Sequence, residues 1–252
     1  MNDDDLHGRV ALVVGGSRGL GLEISRGLSA AGATVIVASR KLEACEAASS
    51  AISRETGGSV IAHRLDIGQW AGAGATVDWV YDTCGRLDVL VNCAGLSPLY
   101  SDLSEVSERL FDKVIDVNLK GPFRLIAAAG PRMAAAGGGS IVNISSIGAV
   151  RPGPGELPYC AAKSGLNALT QGFAQAWAPS VRVNGVLPGA FETDMTAGWP
   201  AEIEQRALDR LPAGRKGQAA EITSAVLYFA SPASSYTTGA MLNVDGGRTA
   251  VL

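Results

Sequence analysis

Val10-Ala11-Leu12-Val13-Val14-Gly15-Gly16-Ser17-Arg18-Gly19-Leu20-Gly21 is the stretch on which the fold turns. Its first five residues are an unbroken apolar run, as expected of a strand covered on both faces. Beyond the glycines, Leu22, Ile24, Leu28 and Ala31 recur at helical spacing. Strand, glycine loop and helix together build an anion site. The glycines permit tight turning and close backbone approach, and the helix N-terminus offers free N–H groups to a pyrophosphate. The loop lacks a Gly-Lys-Ser/Thr ending, which disfavours a P-loop.

The next apolar run, Thr34-Val35-Ile36-Val37-Ala38-Ser39, closes a β-α-β unit. An NAD-specific site usually places Asp or Glu at the end of this strand, on the ribose 2′-hydroxyl. Here the residues are Ser39-Arg40-Lys41, with Arg18 in the glycine loop as a further cation. Two guanidinium groups and a hydroxyl suit a 2′-phosphate, which arginine can hold through two hydrogen bonds. The expectation is NADP(H), with NAD(H) as the lesser possibility.

Strands are expected at Ser59–Arg64, Leu87–Val91, Ser140–Ser146, Val181–Leu187 and Met241–Val244, with helices between them. One helix is read around Val77–Tyr81, and two more over Ser107–Val117 and Leu119–Ala136, with Asn118 near their junction. Seven alternating strands without a composition break imply one doubly wound parallel sheet, a Rossmann fold of class α/β. Residues 1–252 then read as one domain, with 1–7 as an N-terminal arm and 190–215 as a substrate flap. Asp66 falls just past the third strand, at the carboxyl end of the sheet where ligands bind in open α/β folds.

Composition narrows the chemistry. Of 252 residues, 47% are hydrophobic and 18% charged, enough for a large core, and the net charge of −3 argues against a nucleic-acid surface. No run approaches the length needed to span a bilayer, and the acidic first residues are unlike a secretory signal. The four cysteines contain no C-x-x-C pair, and His7 and His63 are the only histidines. A metal site is therefore not expected, and the thiols read as reduced and cytoplasmic. A Ser-His-Asp mechanism has almost no material to work with.

Tyr159 and Lys163 share one face if their segment is helical, as i and i+4 do. An ammonium near a phenol favours the phenolate and would make Tyr159 a general acid/base near neutral pH. Alone, that spacing also arises by accident. It gains weight from what accompanies it: Gly15, Gly19 and Gly21; Asp66; Asn92, Ala94 and Gly95; Asn118; Ser146; and Pro188, Gly189 and Thr193.

In this order and spacing, from about Leu6 to Gly247, these residues resemble the short-chain dehydrogenase/reductase family, and in particular its 3-oxoacyl-carrier-protein reductase-like members. The resemblance implies that Tyr159 exchanges a proton with the substrate oxygen, that Ser146 hydrogen-bonds that oxygen, that Lys163 lowers the tyrosine pKa and holds the nicotinamide ribose, and that Tyr159 is a cofactor-binding residue as well. Ser146 is preferred to Ser145 because it stands at the family's usual distance from Tyr159. Asn118 would hold a water that supplies protons through Lys163. For the cofactor, the loop residues Gly15, Ser17, Arg18, Gly19, Leu20 and Gly21 would pass the pyrophosphate, and Ser39 and Arg40 would meet the 2′-phosphate. Asp66 and Ile67 would meet the adenine, Asn92, Ala94 and Gly95 would flank the adenosine half, and Pro188, Gly189 and Thr193 would hold the carboxamide. A homo-oligomer, tetramer or dimer, is implied in the same way.

The sequence departs from the family at Val14, where Thr is usual, at Cys93, where a second Asn is usual, and at the tight Trp177–Ser180 connection. The expected function is reduction of a carbonyl, or oxidation of an alcohol, on a small molecule with an apolar portion. Ser97, Leu99, Val150, Pro154, Phe191 and Trp199 are its expected lining. Alternatives are a 3-oxoacyl-thioester reductase, a sugar-acid dehydrogenase, a catalytically silent NADP(H)-binding sensor, and a scaffold that binds no nucleotide.

Overall fold

The computed structural model describes residues 6–98, 100–194, 196–198 and 201–250. The expectations for Leu99, Trp199 and most of the N-terminal arm therefore lie outside the described residues. In chain order the first half comprises β1 (Val10–Val14), α1 (Gly19–Ala30), β2 (Thr34–Ser39), α2 (Leu42–Thr56), β3 (Val60–Arg64), α3 (Trp70–Cys84) and β4 (Val89–Asn92). Then follow α4 (Glu108–Ile115), α5 (Gly121–Ala135), β5 (Gly139–Ile144), α6 (Leu157–Trp177) and β6 (Val181–Pro188). The last elements are β7 (Phe191–Glu192), α7 (Ala201–Leu208), β8 (Gly217–Gln218), α8 (Thr223–Ala230) and β9 (Met241–Val244).

The main sheet has seven strands in the order β3-β2-β1-β4-β5-β6-β9, and every pairing in it is parallel. β7 and β8 form a separate two-stranded pair. The apolar runs behave as expected of strands with two covered faces. Val13, Val37, Val91 and Val142 pack with Ile24, Leu28 and Phe229 on one side, while Leu12, Ile36, Leu90 and Ile141 pack with Val80, Leu125 and Met133 on the other. Neighbouring residues of one strand thus feed opposite layers, the two-residue alternation of a strand. The chain leaves β1 toward one edge and β4 toward the other. That reversal opens a crevice at the carboxyl ends of β1 and β4, where open α/β sheets bind ligands.

Several elements differ from their sequence expectation: β4 starts two residues later than Leu87 and β5 ends at Ile144, short of Ser146. α3 begins at Trp70, well before the apolar signal at Val77, because Ala71-Gly72-Ala73-Gly74-Ala75 carries little hydrophobic contrast. Small size is what this segment contributes. A Cβ on Gly74 would lie 2.6 Å from the Arg124 side chain, so α3 and α5 approach closely there. The two helices expected on either side of Asn118 are joined without a break, through a π turn at Asp116–Lys120. Such single π turns concentrate at functional sites, where they aim one side chain out of helical register.

Opposite the crevice, the amino ends of β1 and β4 are fastened by Asp88. Its buried carboxylate accepts from Arg9 at 2.9 Å, from Arg86 at 2.6 and 2.8 Å, and from the Val10 N–H at 2.9 Å. Burial alone would raise its pKa, but Arg86, Val10 and Arg9 together hold it below the usual carboxylate range.

Candidate active site

At the crevice the glycine loop meets the end of β4 with no room for side chains. A Cβ on Gly15, whose φ is 86°, would lie 2.6 Å from the Ala94 nitrogen, and one on Gly21 would lie 2.1 Å from the Gly15 carbonyl oxygen. The loop folds back on itself and delivers the first turn of α1. No side chain caps that turn and no acidic residue lies in it, so its N–H groups are left for an incoming anion.

At the end of β2 the Ser17 hydroxyl donates to Ser39 Oγ at 3.0 Å, joining the loop to the strand. Arg40 is exposed beside them. Arg64, which the sequence reading missed, pairs in register with Ser39 and donates to the Arg40 carbonyl at 3.4 Å. Arg18 does not join this group. It forms an exposed ion pair with Asp194 at 3.5 Å, on the far side of the crevice, and Thr193 stands 3.6 Å from a Cβ placed on Gly19.

Asp66 accepts from the Gly68 N–H at 3.1 Å in a tight turn after β3. Ile67 is buried in the apolar layer with Leu65 and Val117, so only its backbone is free to meet a base. Asn92 also points inward. Its amide donates to Asn143 at 2.8 Å, which donates to Thr170 at 2.9 Å, a buried strap from β4 through β5 to α6. Ala94 and Gly95, not Asn92, face the crevice: Gly95 lies over Asn118 and Lys163, 3.4 and 4.0 Å from where its Cβ would be. Pro188 pairs with Val244 at the end of β6, and Gly189 packs against the Asp245 backbone.

Ser146, Tyr159, Lys163 and Asn118 come together where β4, β5 and α6 converge. Ser145 is buried and donates to Asn167 at 2.6 Å, whereas Ser146 lies within hydrogen-bonding reach of Tyr159 and accepts from the Gly148 N–H at 3.0 Å. The Lys163 ammonium donates to the Ile144 carbonyl at 2.7 Å and stands 5.7 Å from the centre of the tyrosine ring. Burial brings its pKa down to about 8, with Cys93 pulling the other way.

The phenol differs from the sequence expectation. Burial holds the Tyr159 pKa far above its ordinary value; the Ser146 hydrogen bond opposes this, while Glu156, Cys160 and Cys93 add to it. In the cleft as it stands Tyr159 is therefore a neutral proton donor, and the charge of Lys163 is not what sets it. Asn118 is fully buried on the π turn. Its Oδ1 accepts from the Leu96 N–H at 3.1 Å, and its amide donates to the carbonyls of Leu96 at 2.8 Å and Val114 at 2.9 Å. With both amide protons committed, the side chain anchors the loop after β4. A water between it and Lys163 could be held only as a donor to the second lone pair of Oδ1, which lies with the Lys163 ammonium around Gly95.

A family model described as enoyl-(acyl carrier protein) reductase matches residues 14–249. The 3-oxoacyl-(acyl-carrier-protein) reductase of Thermotoga maritima is 36% identical over 245 residues, covering 96% of this chain and 98% of its own. The galactitol 2-dehydrogenase of Cereibacter sphaeroides is 36% identical over 249 residues, 97% and 96% of the two chains. The crystal structure of a gluconate 5-dehydrogenase from Burkholderia cenocepacia, in complex with NADP and tartrate, superposes with a TM-score of 0.94 at 33% identity, over 100% of this chain and 99% of that one. The chain belongs to the short-chain dehydrogenase/reductase family. It is thus an oxidoreductase of a family that acts on alcohol and carbonyl groups.

Against the family's usual pattern, Val14 is buried in the apolar layer between β2 and β4, and the side-chain oxygen of its register partner Asn92 is buried without a hydrogen-bond partner. Cys93 occupies the position of the usual second Asn. Burial pushes its thiol up to about 12, with Lys163 opposing, so it stays protonated beside the ammonium. Of the expected lining, Phe191 is instead buried in the core and packs on Gly217. Two short-chain dehydrogenase/reductase cleft residues were missed. Tyr100 clamps the 150–158 loop, donating to the Pro154 carbonyl at 2.7 Å and accepting from the Leu157 N–H at 2.8 Å. Glu156 takes a hydrogen bond from Ser97 at 3.3 Å. A carboxylate three residues before Tyr159 was the visible signal for the second; nothing in the sequence marked the first.

Proposed function

We propose that this protein is an NADP(H)-dependent carbonyl reductase or alcohol dehydrogenase in which Tyr159 is the general acid/base. The observation that carries the reading is the convergence of Ser146, Tyr159 and Lys163 at the carboxyl end of the sheet, opposite a glycine loop shaped for a pyrophosphate. The cofactor supplies or takes the hydride. The chain's own part is orientation and one positioned proton.

For reduction, the neutral phenol is the form required. Burial favours that form, and Ser146 is positioned to hold the carbonyl oxygen while Tyr159 gives up its proton. Lys163, bound to the Ile144 carbonyl, stands ready to stabilise the phenolate left behind. Oxidation of an alcohol needs the phenolate first, so burial works against that direction at low pH. Thr193, Gly189 and Pro188 would hold the carboxamide end, and the exposed Arg18–Asp194 pair, worth about 0–1 kcal/mol at most, would yield when the crevice fills. The segment 190–215 acts as the substrate flap of what is read as one domain.

Preference for NADP(H) rests on Ser39, Arg40 and Arg64 standing where a carboxylate would mark NAD. The related Burkholderia enzyme was solved with NADP. Arg40→Asp is expected to weaken NADPH on the order of 10²-fold while changing NADH little, because it removes a charge-assisted bond to the 2′-phosphate and adds repulsion. Fluorescence titration of both cofactors checks it, and equal losses would refute the 2′-phosphate role.

A homo-oligomer, dimer or tetramer, is supported by the outer faces of α3 to α6. Trp70 and Phe123 are stacked there yet substantially exposed, beside a hollow of about 450 Å³ walled by Ile115, Leu119 and Leu169. A cytoplasmic location is supported by four free cysteines, and no helix among the described residues is long and apolar enough to cross a membrane.

A further inference from the structure

We propose that Glu156 determines substrate specificity: its carboxylate, facing Ser146 across Gly148, accepts a hydrogen bond from a hydroxyl on the carbon next to the reacting carbonyl. The site thereby takes neutral hydroxy ketones or polyols and turns away substrates with a carboxylate at that position. The proposal rests on the oxidoreductase reading above and deepens it.

Glu156 ends the short turn that leads into α6. It is partly buried, and its two oxygens have different surroundings. Oε2 accepts from Ser97, on the loop after β4, at 3.3 Å. Oε1 turns toward Gly148: the position a Cβ would take there is 3.1 Å from Cys160 Sγ, 3.3 Å from Ser146 Oγ and 3.5 Å from Oε1. The glycine thus leaves a gap between the carboxylate and the serine next to Tyr159. The hollow that Glu156 and Tyr159 share with Pro98, Tyr100 and Val114 is too tight to admit a water, so the Gly148 side is the one open to a substrate group.

A carboxylate offers about four acceptor sites and only one is used here, by a long hydrogen bond. Among the described residues no lysine, arginine or histidine is paired with it, and burial raises its pKa, opposed only by Ser97. A partly desolvated, unpaired carboxylate gains from new O–H donors and repels a second anion. The neighbouring groups select the donor: Ser146 holds the reacting oxygen, so what reaches Glu156 is the adjoining substituent.

The alternative is that Glu156 merely ties the Ser97 loop to α6. Three ketones of one skeleton separate the two roles: acetophenone, α-hydroxyacetophenone and phenylglyoxylate, bearing a methyl, a hydroxymethyl and a carboxylate beside the carbonyl. Each is reduced with NADPH by the wild type, Glu156→Gln and Ser97→Ala. The wild type should prefer the hydroxy ketone. Relative to acetophenone, Glu156→Gln should lower the kcat/KM of the hydroxy ketone by about 10–100-fold and raise that of phenylglyoxylate. Ser97→Ala, which removes the tie and keeps the carboxylate, should retain the wild-type ranking. Uniform losses across the three ketones, or a ranking that Glu156→Gln leaves unaltered, would overturn the specificity role alone. No turnover of any ketone by any of the three proteins would overturn the oxidoreductase reading itself, and the role of Glu156 with it.

Discussion

Tyr159→Phe is expected to lower kcat for ketone reduction by about 10²–10⁴-fold while leaving NADPH affinity nearly unchanged. The two rings fill the same volume, so the packing of the buried Tyr159 against Cys160, Ala162 and Val114 survives the change. What is lost is the proton donor that Ser146 and Lys163 both flank. The loss should appear in kcat and in kcat/KM alike, because the proton moves only in the transition state. Steady-state NADPH oxidation and fluorescence titration, run on the same preparation, read the two quantities. Unaffected turnover would remove Tyr159 from the chemistry.

Gly21→Ala is expected to weaken NADPH by roughly 10–10²-fold or more and to lower thermal stability. The added methyl would lie 2.1 Å from the Gly15 carbonyl oxygen and 2.8 Å from its carbon. Both are backbone atoms of the loop that must receive the pyrophosphate, so relief requires moving the binding surface itself. Gly172→Ala is the control: it lies on α6 and its Cβ would meet nothing within 4 Å. Equal cofactor affinity in wild type and Gly21→Ala would contradict the assignment of the loop.

Much of the fold was legible because its strands announce themselves. A parallel sheet covered on both faces needs unbroken apolar runs, and Val10–Val14 and Thr34–Ser39 have the bounds expected of them; the edge strand Met241–Val244 also has its expected bounds, although Leu242 and Asn243 are exposed. α3 was underestimated for the opposite reason. Its first turns are alanine and glycine, chosen by close approach to α5, and small residues leave little hydrophobic signal. The π turn at Asn118 was invisible in the sequence as well, since helical periodicity does not report one extra residue in a turn.

The same division holds at the site. Motif residues such as Ser146, Tyr159 and Lys163 could be named from their order and spacing, and they stand together in space. Which atoms they use could not be read. Asn92 and Asn118 have their side chains engaged inside the protein, and the Tyr159 phenol is governed by burial rather than by the lysine one turn away. Arg18 meets Asp194 across the crevice instead of Arg40. Tyr100 and Arg64 acquire their places only when distant loops and strands meet, which spacing along one segment does not record.

The central claim is that this chain delivers a hydride from NADPH to a carbonyl carbon and a proton to its oxygen. Incubation with NADPH deuterated at the transferring ring carbon, in the presence of α-hydroxyacetophenone and related ketones, tests it directly. The account predicts an alcohol carrying one deuterium on its new carbinol carbon, with one cofactor oxidised per alcohol formed. Tight NADPH binding without deuterium transfer to any ketone would contradict it and leave a nucleotide-binding sensor on the same fold.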